Sequence, residues 1–120
     1  MKKKILVADD EPELLELTVM LLKKTGYEVS GAADGREALD RARQKTPDLI
    51  ILDIYLPEID GDEVTKLLKK DEKIKHIPVI LISATTQTLE ARVRECGAVG
   101  GFSKPFDPEE LVAMVKKHIG

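Results

Sequence analysis

Five polar side chains follow directly on apolar runs: Asp9 and Asp10 after ILVA, Asp53 after LIIL, Ser83 after VILI, and Lys104, with Pro105 behind it, after VGGFS. Each alone reads as an ordinary turn or cap residue, because apolar segments give way to polar loops. Jointly they demand more. An acid that closes a buried run is costly unless it is paired, metal-bound or used in chemistry. Three carboxylates drawn within a few ångströms of one another would also raise each other's pKa values, so a positive group has to accompany them. An oxygen-only ligand set with no His or Cys nearby suits Mg²⁺, which takes one or two carboxylates and keeps several waters. Lys104 carries a point charge on a stem long enough to reach a carboxylate or a phosphoryl oxygen. A carboxylate nucleophile, a hard dication and a lysine are together the ingredients of phosphoryl transfer to an acid.

The elements that would position these groups follow from the spacing of apolar residues. ILVA at 5 to 8, LIIL at 49 to 52 and VILI at 79 to 82 are too short for helices and lack period-two alternation. Such runs read as strands buried on both faces, as in a parallel sheet. YEVSGA at 27 to 32 and VGGFS at 99 to 103 are weaker and suit edge strands. Between them lie helical patterns. Pro12 opens the first, with Leu14, Leu17, Leu21 and Leu22 on one face and Gly26 after its end. Asp34 and Glu37 have capping-box spacing before Ala38, Leu39 and Ala42. Val64, Leu67 and Leu68 mark the third helix, and Leu89, Val93 and Cys96 the fourth, which Gly97 stops. Leu111, Val115 and His118 mark the fifth, with Asp34, Asp60 and Asp107 read as caps. Strict alternation of five strands and five helices predicts an α/β fold, a doubly wound parallel sheet with helices on both faces. Sheets of this kind bind ligands beyond the carboxyl ends of their strands, the edge where all five polar groups fall.

At 120 residues the chain fits one domain spanning 1–120, large enough to bury a core unaided. Cys96, the single cysteine, has no internal partner and reads as a small core hydrophobe. No stretch approaches the roughly 20 apolar residues of a membrane span or the layout of a signal peptide, so a cytoplasmic protein with no membrane insertion is expected. The net charge of −3, with acids and bases interleaved, argues against direct nucleic-acid binding, and four aromatics in the chain leave little for base stacking. His76 and His118 have no companion at metal-ligand spacing.

AlaAspAspGluPro at 8 to 12, the run into Asp53 with ProGluIleAspGly at 57 to 61, Ser83 with Ala84, and LysProPhe at 104 to 106 resemble the receiver domain of bacterial two-component response regulators. The resemblance spans essentially the whole chain, with the motifs in order. It implies a flavodoxin-like five-stranded sheet of order 2-1-3-4-5. It implies Asp53 as phosphoacceptor from a phosphohistidine of a sensor histidine kinase or histidine phosphotransfer protein. Mg²⁺ would be held by Asp10 directly, Asp9 through water, Asp53 and the backbone carbonyl of Tyr55. Ser83, followed by Ala84, would hydrogen-bond a phosphoryl oxygen and Lys104 would pair with it, behind a cis bond to Pro105. Tyr55 and Thr85 occupy positions that influence how fast the phosphoryl group is lost, and the bulk of Tyr55 is expected to hinder in-line water. A downstream effector protein, or a phosphorylation-dependent dimer, would use the face of the fourth helix, fifth strand and fifth helix.

One departure stands out. The aromatic that most relatives carry three residues before the lysine is Gly101 here, and the neighbouring aromatic is Phe102. With Gly101 it belongs to the signalling face, where Phe102 substituting for the switch aromatic from the next position is one reading; strand alternation points it to the opposite face and favours the other, core filling. A competing reading is a Mg²⁺-dependent aspartyl-phosphate phosphohydrolase in the style of the haloacid dehalogenases. Those enzymes carry Asp-x-Asp at the first strand and a cap, whereas Asp9 and Asp10 are adjacent and no cap insertion is visible. Flavin or dinucleotide binding would need a Gly-rich phosphate loop where AspAspGluPro stands. No output domain follows the fifth helix within these residues, which leaves a stand-alone regulator and a piece of a longer protein both open.

Overall fold

The computed structural model of the chain describes residues 2–85 and 87–120. Strands β1 (Lys4–Ala8), β2 (Glu28–Ala32), β3 (Leu49–Asp53), β4 (Val79–Ser83) and β5 (Gly100–Ser103) alternate with helices α1 (Pro12–Thr25), α2 (Gly35–Lys45), α3 (Gly61–Lys69), α4 (Leu89–Cys96) and α5 (Pro108–Ile119). The strands are all parallel, in the order β2-β1-β3-β4-β5. The weak second and fifth segments thus lie at the edges. This is the flavodoxin-like topology that the family resemblance implied.

Period-two alternation along each central strand divides the core in two. Leu6, Ala8, Ile50, Leu52, Val79 and Leu81 face α2, α3 and α4, where Leu39, Val64, Leu68 and Cys96 meet them. Ile5, Val7, Leu49, Ile51, Ile80 and Ile82 face α1 and α5, against Leu22, Leu111 and Val115. Both faces of β3 and β4 are therefore dry, and each fully buried aliphatic side chain contributes about 1.5–3 kcal/mol relative to exposure. The connection between α3 and β4 adds Ile74 and Ile77 to the first cluster, a contribution that no periodic pattern announced.

Helix ends follow the chemistry of the sequence in part. The Asp34 carboxylate accepts from the Glu37 amide at 2.7 Å, and the Glu37 carboxylate reaches back to the Ala33 amide at 2.8 Å. Asp107 accepts from the Glu109 amide at 2.8 Å. Asp60 stands at the N-cap of α3 but makes no side-chain cap bond, so the expectation of a cap holds for its position and not for its carboxylate. The core face of α1 also differs from the leucine spacing. Leu17 is 63% exposed, while Leu21 and Leu22, as the spacing predicts, pack against the core together with Leu15, Thr18 and Val19. Leu14 and Leu17 flank a surface groove beside Phe106 and Pro108, which Leu21 also borders. Thr18 can turn inward because its hydroxyl donates to the Leu14 carbonyl at 2.9 Å.

Candidate functional site

Register brings the carboxylates together. Ala8 pairs with Leu52 across β1 and β3, so Asp9 and Asp53 stand next to each other at the ends of adjacent strands. The alternation that sends Val7, Ile51 and Phe102 toward α1 and α5 also carries Asp9, Asp53 and Lys104, each two residues further on. These groups converge where the strands stop. Lys104 Nζ donates to Asp53 Oδ2 at 2.6 Å and to Glu11 Oε1 at 2.8 Å, and lies 3.2 Å from Asp9 Oδ2. Asp9 and Asp53 are 4% and 5% exposed, and Asp10 and Glu11 are open to solvent. Ligand oxygens of Asp9, Asp10, Glu11 and Asp53 all lie within 4.8 Å of one another.

The remaining polar groups of the rim are held by backbone amides. Glu11 N–H donates to Asp9 Oδ1 at 3.0 Å, and Tyr55 N–H to Asp53 Oδ1 at 3.1 Å. Ser83, buried at the end of β4, accepts from the Thr85 amide at 3.0 Å. Its carbonyl accepts from the Lys104 amide at 2.8 Å, which ties β4 to the lysine strand. Ala84 and Thr85 continue from Ser83 as an exposed loop. The bond between Lys104 and Pro105 is cis.

Electrostatics follow from this burial. Burial pushes the Asp9 carboxyl above the ordinary aspartate range, opposed by the Glu11 amide and by Lys104 and reinforced by the Asp53 charge. Burial alone would lower the Lys104 ammonium. Hydrogen bonds to Asp53 and Glu11, with the charges of Asp53 and Asp9, override it and hold the lysine above its ordinary value. Lys104 is thus a permanent cation at the bottom of an acidic cup.

The donor set fits a hard divalent cation. It consists of carboxylates on a preformed rim, without His or Cys, and a positive charge already bridges three of those acids.

Gly61 is required by close approach. Its amide donates to the Ile54 carbonyl at 2.7 Å, and a Cβ there would collide with the backbone carbonyl of Asp53. Helix α3 therefore starts flush against the end of β3. At Gly101 a Cβ would stand 3.0 to 3.1 Å from Val93 and Leu89, so α4 itself fills the space above the glycine. Phe102 packs on the other side of the sheet, in the cluster of α1 and α5, and does not reach that space.

An α/β sheet of this order with an acidic cup and an inward lysine at its carboxyl edge defines a class of protein, and comparison with known proteins specifies it. The family model of the response regulator receiver domain matches residues 5–116. The chain belongs to the response regulator receiver domain family. It is 40% identical to the polar-differentiation response regulator DivK of Brucella ovis over 100% of this chain and 98% of that protein. Among solved structures it is similar to chemotaxis response regulator CheY4 of Vibrio cholerae, with TM-score 0.92, 32% identity, and 99% and 100% of the two chains covered. It is also similar to the response regulator TrrA of Thermotoga maritima, solved in complex with Mg²⁺-BeF, with TM-score 0.88, 38% identity, and 98% and 99% covered. The protein is accordingly a regulatory domain, a phosphorylation-dependent signalling switch whose class works with kinase or phosphotransfer partners and downstream effectors.

Two features of the rim were not legible in the sequence. Glu11 is a direct partner of Lys104, 93 positions away, and nothing in its local spacing pointed there. Arg92 of α4 lies over the Tyr55 ring, 5.5 Å from its centroid, and pairs with Asp62 of α3 at 3.2 Å. No local spacing links residues 55, 62 and 92.

Proposed function

We propose that the chain is a receiver domain over residues 1–120 in which Asp53 accepts a phosphoryl group from a phosphohistidine. The donor is a sensor histidine kinase or a histidine phosphotransfer protein. An Asp53 carboxylate oxygen attacks phosphorus, the phosphorus–nitrogen bond breaks, and the imidazole leaves with the electron pair. The observation that carries this reading is the 2.6 Å contact of Lys104 Nζ with Asp53 Oδ2 inside a cluster of acids at the strand ends.

Asp9, Asp10, Asp53 and the Tyr55 carbonyl would hold Mg²⁺, which when bound supplies positive charge beside the transferring group. Lys104 neutralises Asp53 before transfer and pairs with a phosphoryl oxygen after it. Its bonds to Asp9 and Glu11 keep the ammonium in place while its Asp53 partner changes. The Ser83 hydroxyl, whose oxygen already accepts from Thr85, keeps its own proton for a phosphoryl oxygen. Drawing that hydroxyl inward moves Ala84 and Thr85, which lead into α4. With α4 seated on Gly101 and no aromatic between them, the shift passes to the helix as a body rather than through a ring that turns. Tyr55 and Thr85 flank the approach and set how long the acyl phosphate survives. Pro105 holds the lysine strand where it turns toward α5. An effector protein, or a second copy after phosphorylation, reads the face of α4, β5 and α5. A cytoplasmic place of action is part of this reading and rests on membership of the receiver family; no helix among the described residues is long and apolar enough to cross a membrane.

Incubation with acetyl phosphate and Mg²⁺ followed by intact-mass measurement tests the assignment. One phosphoryl group is expected on the parent, and none at this position in Asp53→Asn. A parent that takes no label from acetyl phosphate or from histidine kinases would be a receiver that has lost its acceptor chemistry, contrary to the proposal.

A further inference from the structure

The Tyr55 side chain has a restraint of its own. Its amide belongs to the acceptor loop through Asp53, yet the residue is 46% exposed and its ring would be free to turn if nothing held it. The ring instead leans across to α4, with the Arg92 guanidinium 5.5 Å from its centroid. That guanidinium is itself anchored. Arg92 Nη1 lies 3.2 Å from Asp62 Oδ2, and both side chains are less than one-third exposed. Asp62 follows Gly61, whose amide bond to the Ile54 carbonyl fastens the start of α3 to the acceptor strand, with no room for a Cβ beside the Asp53 carbonyl. One end of this chain of contacts is therefore fixed to β3 and the other rides on α4.

We infer that Arg92, held by Asp62, is a positioning residue that pins the Tyr55 ring beside the acceptor and so slows loss of the phosphoryl group from Asp53. The inference rests on the phosphoacceptor reading above. In the loss reaction water attacks phosphorus, the bond from phosphorus to the Asp53 oxygen breaks, the carboxylate departs, and a water proton passes to solvent as inorganic phosphate forms. A ring pinned at the rim restricts the line along which that water enters, whereas a ring that turns freely does so only part of the time.

Two measurements separate this inference from the reading it rests on. The chain has two tyrosines and no tryptophan, and Tyr27 is 6% exposed, so acrylamide quenching of tyrosine fluorescence reports chiefly on Tyr55 without any phosphorylation. Arg92→Met is expected to increase that quenching, and Arg92→Lys to restore part of the protection by keeping a cation over the ring. On protein labelled with acetyl phosphate and Mg²⁺, Arg92→Met is expected to speed loss of the phosphoryl group roughly 2- to 5-fold, the scale of one partly exposed cation–π contact. In a Tyr55→Ala background the same substitution is expected to change nothing further, because the residue it acts through is gone.

An Arg92→Met effect of equal size in both backgrounds would overturn the inference, as would unchanged quenching or an unchanged rate. Absence of label on the parent would overturn the acceptor reading and the lifetime effect with it. The quenching comparison would then still decide whether Arg92 holds the ring.

Discussion

Replacing Lys104 by Met removes the one cation that contacts both buried acids among the described residues. At an effective dielectric constant of about 20, a charge 2.6 Å from Asp53 and 3.2 Å from Asp9 attracts each by about 5–6 kcal/mol before desolvation. Burial of the ammonium cancels much of that gain, and removing one partner of a buried pair costs about 3–5 kcal/mol net. A second route leads to the same size. Asp9 and Asp53, with ligand oxygens within 4.8 Å, would be left repelling each other by about 3–4 kcal/mol on the same dielectric scale. Urea unfolding followed by far-UV circular dichroism at about pH 7 in EDTA is expected to show a loss of about 3–5 kcal/mol. The sign of the pH dependence follows from the acids. The Asp9 carboxyl already titrates above its ordinary value because of burial, and loss of Lys104 removes two of the influences that pull it down. A carboxyl raised on folding destabilises the fold while ionised and ceases to do so as pH falls through its raised pKa, so the deficit narrows from about pH 7 toward about pH 5. Adding Asp53→Asn to Lys104→Met removes the repulsion and is expected to recover about 2 kcal/mol or more. A deficit below about 1 kcal/mol at neutral pH, or one that does not shrink on acidification, would refute the premise that the ammonium holds these acids together.

Three further outcomes are expected. Gly61→Ala forces a Cβ into the Asp53 carbonyl and is expected to cost about 3 kcal/mol or more in urea unfolding, while displacing the acceptor loop enough to lower the labelling rate with acetyl phosphate. Gly101→Tyr, which places an aromatic where the family resemblance led one to expect it, meets Leu89 and Val93 and is expected to destabilise by about 1–3 kcal/mol; a neutral effect would show that α4 lifts away easily. The Tyr27 hydroxyl is buried with no hydrogen-bond partner among the described residues, so Tyr27→Phe is expected to be neutral or to stabilise by up to about 1 kcal/mol, read as an unchanged or raised urea midpoint.

The division between what was legible early and late follows the range of the forces involved. Three apolar runs, their helical partners, and the polar residue that closes each run are local patterns, and local patterns survive in a sequence. They were enough to name a parallel α/β sheet and to pick out Asp9, Asp10, Asp53, Ser83 and Lys104 as residues of one edge. Strand order rested on family resemblance, because period-two burial does not say which strand lies beside which. The leucines of α1 show the limit of periodicity. Leu14, Leu17, Leu21 and Leu22 form a plausible core stripe, of which the sheet's position keeps Leu21 and Leu22 inside and replaces Leu14 and Leu17 by Leu15, Thr18 and Val19.

By itself the sequence determined the class of fold and the carboxyl-edge location of the polar groups. Only the tertiary structure decided that Glu11 shares Lys104 with Asp9 and Asp53, that Leu89 and Val93 close the space over Gly101, and that Arg92 links Asp62 to Tyr55. Each of those contacts joins residues far apart in the chain, up to 95 positions. Their distances are set by how helices seat on a twisted sheet, and no short stretch of chain encodes that quantity.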